Sequence, residues 1–183
     1  MSDLRPYSEG FFLKIGEFIH LYKEEIERIE NIDTFKGEST ERYLKFLNNH
    51  KLLDKFISNE DHKLNPLSVS RKCYLKFLID EYTDGDFEWI KFSKDGVTHS
   101  KVLISNNDDK GCMSQLGLLN IDLDEEAENW WSELGQFSRK IFDKKTQETG
   151  REGEKLTVKY ELKRLGNKDK IKKMYILDNN AGY

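Results

Sequence analysis

Residues 87–105 read FEWIKFSKDGVTHSKVLIS, and their interpretation decides the fold class. Phe87, Trp89 and Lys91 alternate with Ile90 and Phe92, the period of a strand with two different faces. SKDG, 93–96, is a turn, and VTHSKVLIS follows it as a second run. The spacing predicts a β-hairpin over residues 87–104, with Gly96 where a positive φ is needed.

Upstream, the TDGD cluster at 83–86 is a turn that separates this hairpin from a helical region. Phe12, Ile15, Ile19, Tyr22, Ile26 and Ile29 recur at steps of three and four, forming one apolar stripe of an amphipathic helix. The stripe is too short for a sustained coiled coil, so it is expected to face a core. A second helix is expected after Ser39 as N-cap, with Tyr43, Leu44, Leu47 and Leu52 turned inward. A third opens at Asn65 as cap and Pro66 in the first turn, carrying Leu67, Tyr74, Phe77, Leu78 and Tyr82 as apolar contacts. Three helices followed by a hairpin is the element order of a winged helix. Arg71, Lys72 and Lys76 on the third helix, and Lys91, Lys94 and Lys101 on the hairpin, are its candidate phosphate contacts. Each set has acids close by in sequence, which weights the reading toward a generic helical domain.

Downstream, SNNDDKG at 105–111 reads as a polar, turn-rich loop, and the unit boundary falls between Gly111 and Asp122. Asp122 or Asp124 then caps a long helix with Ala127, Trp130, Trp131, Leu134, Phe137, Ile141 and Phe142 on its apolar face. Acids in its first turn and lysines in its last suit the helix dipole. Thr149 and Gly150 are expected to break it. REGEKLTVKYELKRLG, 151–166, then forms another helix, with Leu156, Tyr160 and Leu165 available for packing and Gly166 as the stop. A glycine inside a helix costs roughly 1 kcal/mol relative to alanine, so Gly153 suggests close approach of another group. The expected protein is helix-rich α+β, in two units, 1–115 and 122–183.

Composition narrows the function classes. With 37% apolar and 35% charged residues, including 11 Phe, 8 Tyr and 3 Trp, most of the chain should pack. No apolar run approaches the roughly 20 residues that span a bilayer, and MSDLRPYSEG has neither a basic leader nor an apolar signal core, so a cytoplasmic protein is expected. Cys73 and Cys112 lack metal or disulfide spacing and read as two reduced thiols, and His20, His50, His62 and His99 have no partners at metal spacing. There is no P-loop, dinucleotide turn, Cys–His arrangement or serine elbow. The net charge of −4 hides an asymmetry: residues 139–173 hold 13 Lys and Arg against 6 acids, +7, which leaves −11 for the rest. Clustered cations gain affinity for a polyanion by releasing its counterions.

The run TGREGEKLTVKYELKRLG, with WW about twenty residues upstream and DNNAGY downstream, resembles the domain at the C-terminus of the plant NO VEIN protein and of many bacterial defence and restriction proteins. That family looks like a divergent restriction-endonuclease-like, PD-(D/E)xK, nuclease. Its G-x-x-G-E and Y-E signature is matched by Gly150, Gly153, Glu154, Tyr160 and Glu161, and its Asn-rich A-G-Y turn by Asn179, Asn180, Ala181, Gly182 and Tyr183. The resemblance covers about the last 50 residues and implies that KMYILD, 173–178, opens the nuclease sheet. It also implies that Glu154 and Glu161 are site positions, and that a complete site adds an aspartate after Gly-Tyr and an E-x-K group to hold Mg²⁺. Those groups are not among residues 1–183, so no cofactor and no cleavage are expected of this chain.

The expected role is therefore a DNA-binding or sensing portion of a defence or restriction-type nuclease, with Arg151, Lys155, Lys159, Lys163 and Arg164 on the DNA. The alternative is a protein interaction module, docking a partner or a second copy through the Trp130 and Trp131 face.

Overall fold

Asn65 and Pro66 open the helix around which the N-terminal unit packs. The computed structural model describes residues 10–27, 38–57, 65–82 and 87–165. The Asn65 side chain accepts from Ser68 N at 2.8 Å, with Pro66 in the first turn, where a missing N–H costs nothing. Helix α4, Pro66–Asp80, buries Val69, Cys73, Tyr74, Leu75, Phe77 and Leu78, together with Ser68, Ser70 and Arg71, so nearly its whole circumference is covered. Helix α1, Phe11–Glu27, lies against it through Phe12, whose ring centroid is 4.9 Å from that of Tyr74 and 5.5 Å from that of Phe77. Gly16 permits the approach, because a Cβ there would sit 2.0 Å from Ser70 Oγ and 2.3 Å from the Pro66 carbonyl. The buried face of α1 is broader than the expected stripe, adding Phe11 and Phe18, while Tyr22 departs from helical φ/ψ and is largely exposed. Ile29 lies outside the described residues.

Helix α2, Glu38–Asn49, begins before Ser39, which is therefore not its cap, and buries Leu44, Phe46 and Leu47. It stops at Lys51, whose φ of +54° lets Leu52 N donate to the Leu47 carbonyl at 2.8 Å, a closure that satisfies an orphan carbonyl. Leu52, and Phe56 of helix α3, Leu53–Ile57, then fold into the same core. His50 Nδ1 sits 2.8 Å from Asp80 Oδ2 and ties the end of α2 to the end of α4.

The expected hairpin is not formed, and the α+β class is corrected with it: there is no β-strand among the described residues. Residues Glu88–Asp95 form a 3-10 helix, and Val97–Leu103 form helix α5. Gly96 does take a positive φ, +121°, but between two helical pieces rather than at a hairpin tip. The buried set is Phe87, Trp89, Ile90 and Ser93, a helical rather than an alternating pattern. Tertiary hydrogen bonds hold it: Trp89 Nε1 donates to Asp109 Oδ2 at 3.1 Å, and Ser93 Oγ to the Leu134 carbonyl at 3.2 Å. Without a hairpin there is no wing, so the winged-helix arrangement falls as well.

SNNDDKG is likewise helical. Asn106 accepts from Asp108 N at 2.8 Å and caps helix α6, Asn107–Gln115. Asp124 is the cap of helix α7, Glu125–Leu165, accepting from Ala127 N at 2.8 Å. The helix runs through Thr149 and Gly150 without the expected break. The Thr149 and Thr157 hydroxyls donate to the Lys145 and Gly153 carbonyls four residues back, which keeps them inside the helical pattern. A Cβ at Gly150 or Gly153 would meet nothing within 4 Å, so the close approach expected at Gly153 is absent among the described residues.

The chain divides into two compact units, Met1–Arg139 and Lys140–Tyr183. In the first, the opening turns of α7 contribute Ala127, Trp130, Trp131 and Leu134 to the core. In the second, the described part is the remainder of α7; KMYILD, Gly166 and the NNAGY turn lie outside the described residues. Among the described residues, no helix is long and apolar enough to cross a membrane.

Candidate nucleic-acid interface

Of the cations expected on the third helix and hairpin, Arg71, Lys76, Lys91 and Lys101 are engaged within the first unit. Arg71 is buried: Nε donates to the Leu116 carbonyl at 2.9 Å, and Nη1 and Nη2 form a fork with Asp124 at 2.6 and 2.8 Å. The hydrogen bond from Arg71, reinforced by the Ala127 backbone N–H, holds the Asp124 carboxyl below its usual pKa. Lys76 pairs with Asp80, and Lys91 is 4.0 Å from Glu88. Lys101 donates to the Asn120 carbonyl at 2.7 Å, and its burial lowers the pKa. The cleft of about 220 Å³ between α4 and α7 mixes Arg71 and Lys72 with Glu126 and Glu133, so its charges balance and it offers no net positive surface to a phosphate.

The Trp130 and Trp131 face is not a docking surface. Both indoles are buried, and their Nε1 groups donate to the Arg71 carbonyl at 2.9 Å and the Leu118 carbonyl at 3.0 Å. Buried indoles with satisfied N–H groups are core residues.

The second unit differs in charge and exposure. Residues 140–183 hold 12 Lys and Arg against 7 acids, +5, so the first unit carries −9. On α7, Arg151, Lys155, Lys159 and Lys163 are all exposed and lie four residues apart. Each step rises about 6 Å along the axis and turns about 40°, so the four form an inclined row about 18 Å long that winds about 120° round the helix. In sequence, Glu154 and Glu161 are surrounded by Lys155, Lys159 and Arg164, the partners that spacing alone suggests. The pair that forms is Glu161 with Arg164, Oε2 to Nη2 at 2.8 Å and to Nε at 2.9 Å. Among the described residues the four row cations make no ion pair. Among the described residues, Arg164, expected on the DNA, is the one basic site residue committed to a carboxylate.

Glu154 is exposed and Glu161 half-buried on the same helix, about 10 Å apart along the axis, and Glu161 is already held by Arg164. Among the described residues no group of three or more His, Cys, Asp or Glu is placed to hold a metal ion. The residues described therefore do not fit a Mg²⁺ centre, and no metal-dependent step is assigned to them. Leu156 and Tyr160, expected to pack, are instead 67% and 65% exposed beside the basic row. Their four-residue spacing was visible in the sequence, but their outward direction was not.

No family model, curated protein or solved structure matches the chain.

Proposed function

We propose that the chain binds DNA through the basic row of α7 and serves as the DNA-binding portion of a defence or restriction-type nuclease. The observation that carries this reading is the row itself: Arg151, Lys155, Lys159 and Lys163 are exposed, unpaired among the described residues, and spaced at a regular rise. Unpaired lysines held at fixed intervals favour a polyanion over a single acidic group, because each phosphate neutralised releases counterions. The nuclease affiliation rests on the G-x-x-G-E and Y-E resemblance, in which Glu154 and Glu161 are the site positions. Such a surface contacts backbone phosphates and carries no base readout, so binding should be independent of sequence.

The test is fluorescence anisotropy with labelled DNA at low salt. The variant Lys155→Gln, Lys159→Gln, Lys163→Gln should bind about tenfold more weakly or worse, by an amount that does not depend on sequence. Unchanged binding would move the site off this helix. Salt-insensitive capture of a protein in place of DNA would favour an interaction module.

A further inference from the structure

Leu156 and Tyr160 stand four residues apart on α7, each about two-thirds exposed. Four residues is close to one turn, so the two side chains lie one above the other on a single face. Lys163 follows Tyr160 by three residues and is its neighbour on the helix surface, and Lys159, four residues before Lys163, lies in the same row on that side of the phenol ring. Glu161, the acid adjoining Tyr160, pairs with Arg164 and not with either lysine among the described residues. Tyr160 makes no hydrogen bond or ring contact among the described residues.

Cations alone suffice for a duplex, whose bases are stacked away from a helix lying on its backbone. An exposed aromatic ring beside a row of cations adds something a duplex does not use. It offers a flat apolar surface to a base, and only an unstacked base can accept it. We propose that Leu156 and Tyr160 form a base-stacking platform, and that the site therefore prefers single-stranded nucleic acid to duplex. The platform rests on the phosphate-binding role of the basic row and adds a second chemistry to it. Lys159 and Lys163 hold phosphates along one side of the platform, a base lies on Tyr160, and Leu156 extends the platform toward the next base. Every base has a π-face, so the platform selects strand state and not sequence.

The experiment compares a labelled single strand and the corresponding duplex, each roughly 20 units long and so longer than the site size of such platforms. The proteins are the wild type, Tyr160→Ala, Tyr160→Phe and the triple lysine variant, with helix content checked by circular dichroism. The expected result is tighter single-strand binding by the wild type. Tyr160→Ala should lose about tenfold for the single strand with little change for the duplex, and Tyr160→Phe should keep the preference. Equal affinity for both forms, or a Tyr160→Ala loss that is absent or the same for both, overturns the platform while the phosphate-binding reading stands. Absence of binding to either form, or binding indifferent to the triple variant, overturns both.

Discussion

Arg71 and Asp124, 53 residues apart in sequence, meet in a two-pronged pair with nitrogen to oxygen distances of 2.6 and 2.8 Å. The guanidinium is buried and the carboxylate is more than half exposed. One carboxylate thus pairs with a buried cation and also caps the helix carrying the basic row. The pair sets where α7 begins and how it enters the first core.

Asp124→Asn should destabilise the first unit by about 1–3 kcal/mol, since it removes the carboxylate paired with the buried Arg71 and leaves only Glu126, 3.7 Å from Nη1, while the asparagine still caps the helix. Asp122→Asn, at an exposed neighbour, should change stability by less than about 0.5 kcal/mol. Urea denaturation of the two variants measures the difference.

The same carboxylate gives a pH dependence. Asp124 is held below its usual pKa by Arg71. Burial pushes the Asp80 pKa up, but hydrogen bonds from Lys76 and His50 outweigh it and leave that group below its usual value too. A carboxyl with a lowered folded pKa adds stability above its unfolded value, about 3.9, and loses it as the pH falls through the folded value. Stability should therefore be retained at neutral pH and decline below about pH 4. Asp124→Asn should flatten that decline, as read from unfolding midpoints across an acid series.

Two glycines in helices should respond in opposite directions to alanine. Gly16→Ala forces a methyl against Ser70 Oγ and the Pro66 carbonyl, and should cost about 2–3 kcal/mol, the upper range for overpacking. Gly153→Ala meets open space in α7 and should add about 0.5–1 kcal/mol of helix stability. Thermal or urea unfolding of the two single variants distinguishes them.

Local chemistry made two of the helix starts readable. Asn65 with Pro66, and Asp124 before a run of acids, act within three residues and need no tertiary partner. The segment 87–104 misled for the opposite reason. Its apolar alternation and the β-branched Val97, Thr98 and Val102 suit a strand, and it is helical because Trp89 and Ser93 bond to groups 20 and 41 residues away. Arg71 looked like a surface cation because its acceptors, Leu116 and Asp124, are as distant. In the candidate site the four-residue row of cations was readable from spacing. The exposure of Tyr160 was not, because an apolar residue on an amphipathic helix is ordinarily part of a core face.

The most direct measurement of the central claim is the salt dependence of DNA affinity. Four phosphate contacts by Arg151, Lys155, Lys159 and Lys163 predict a slope of log K against log salt of about −3 to −4, from roughly −0.7 to −0.9 per contact. The triple lysine variant should bring it to about −1. A slope near zero, or one that the variant leaves unchanged, would contradict the assignment of the basic row of α7 as the binding surface.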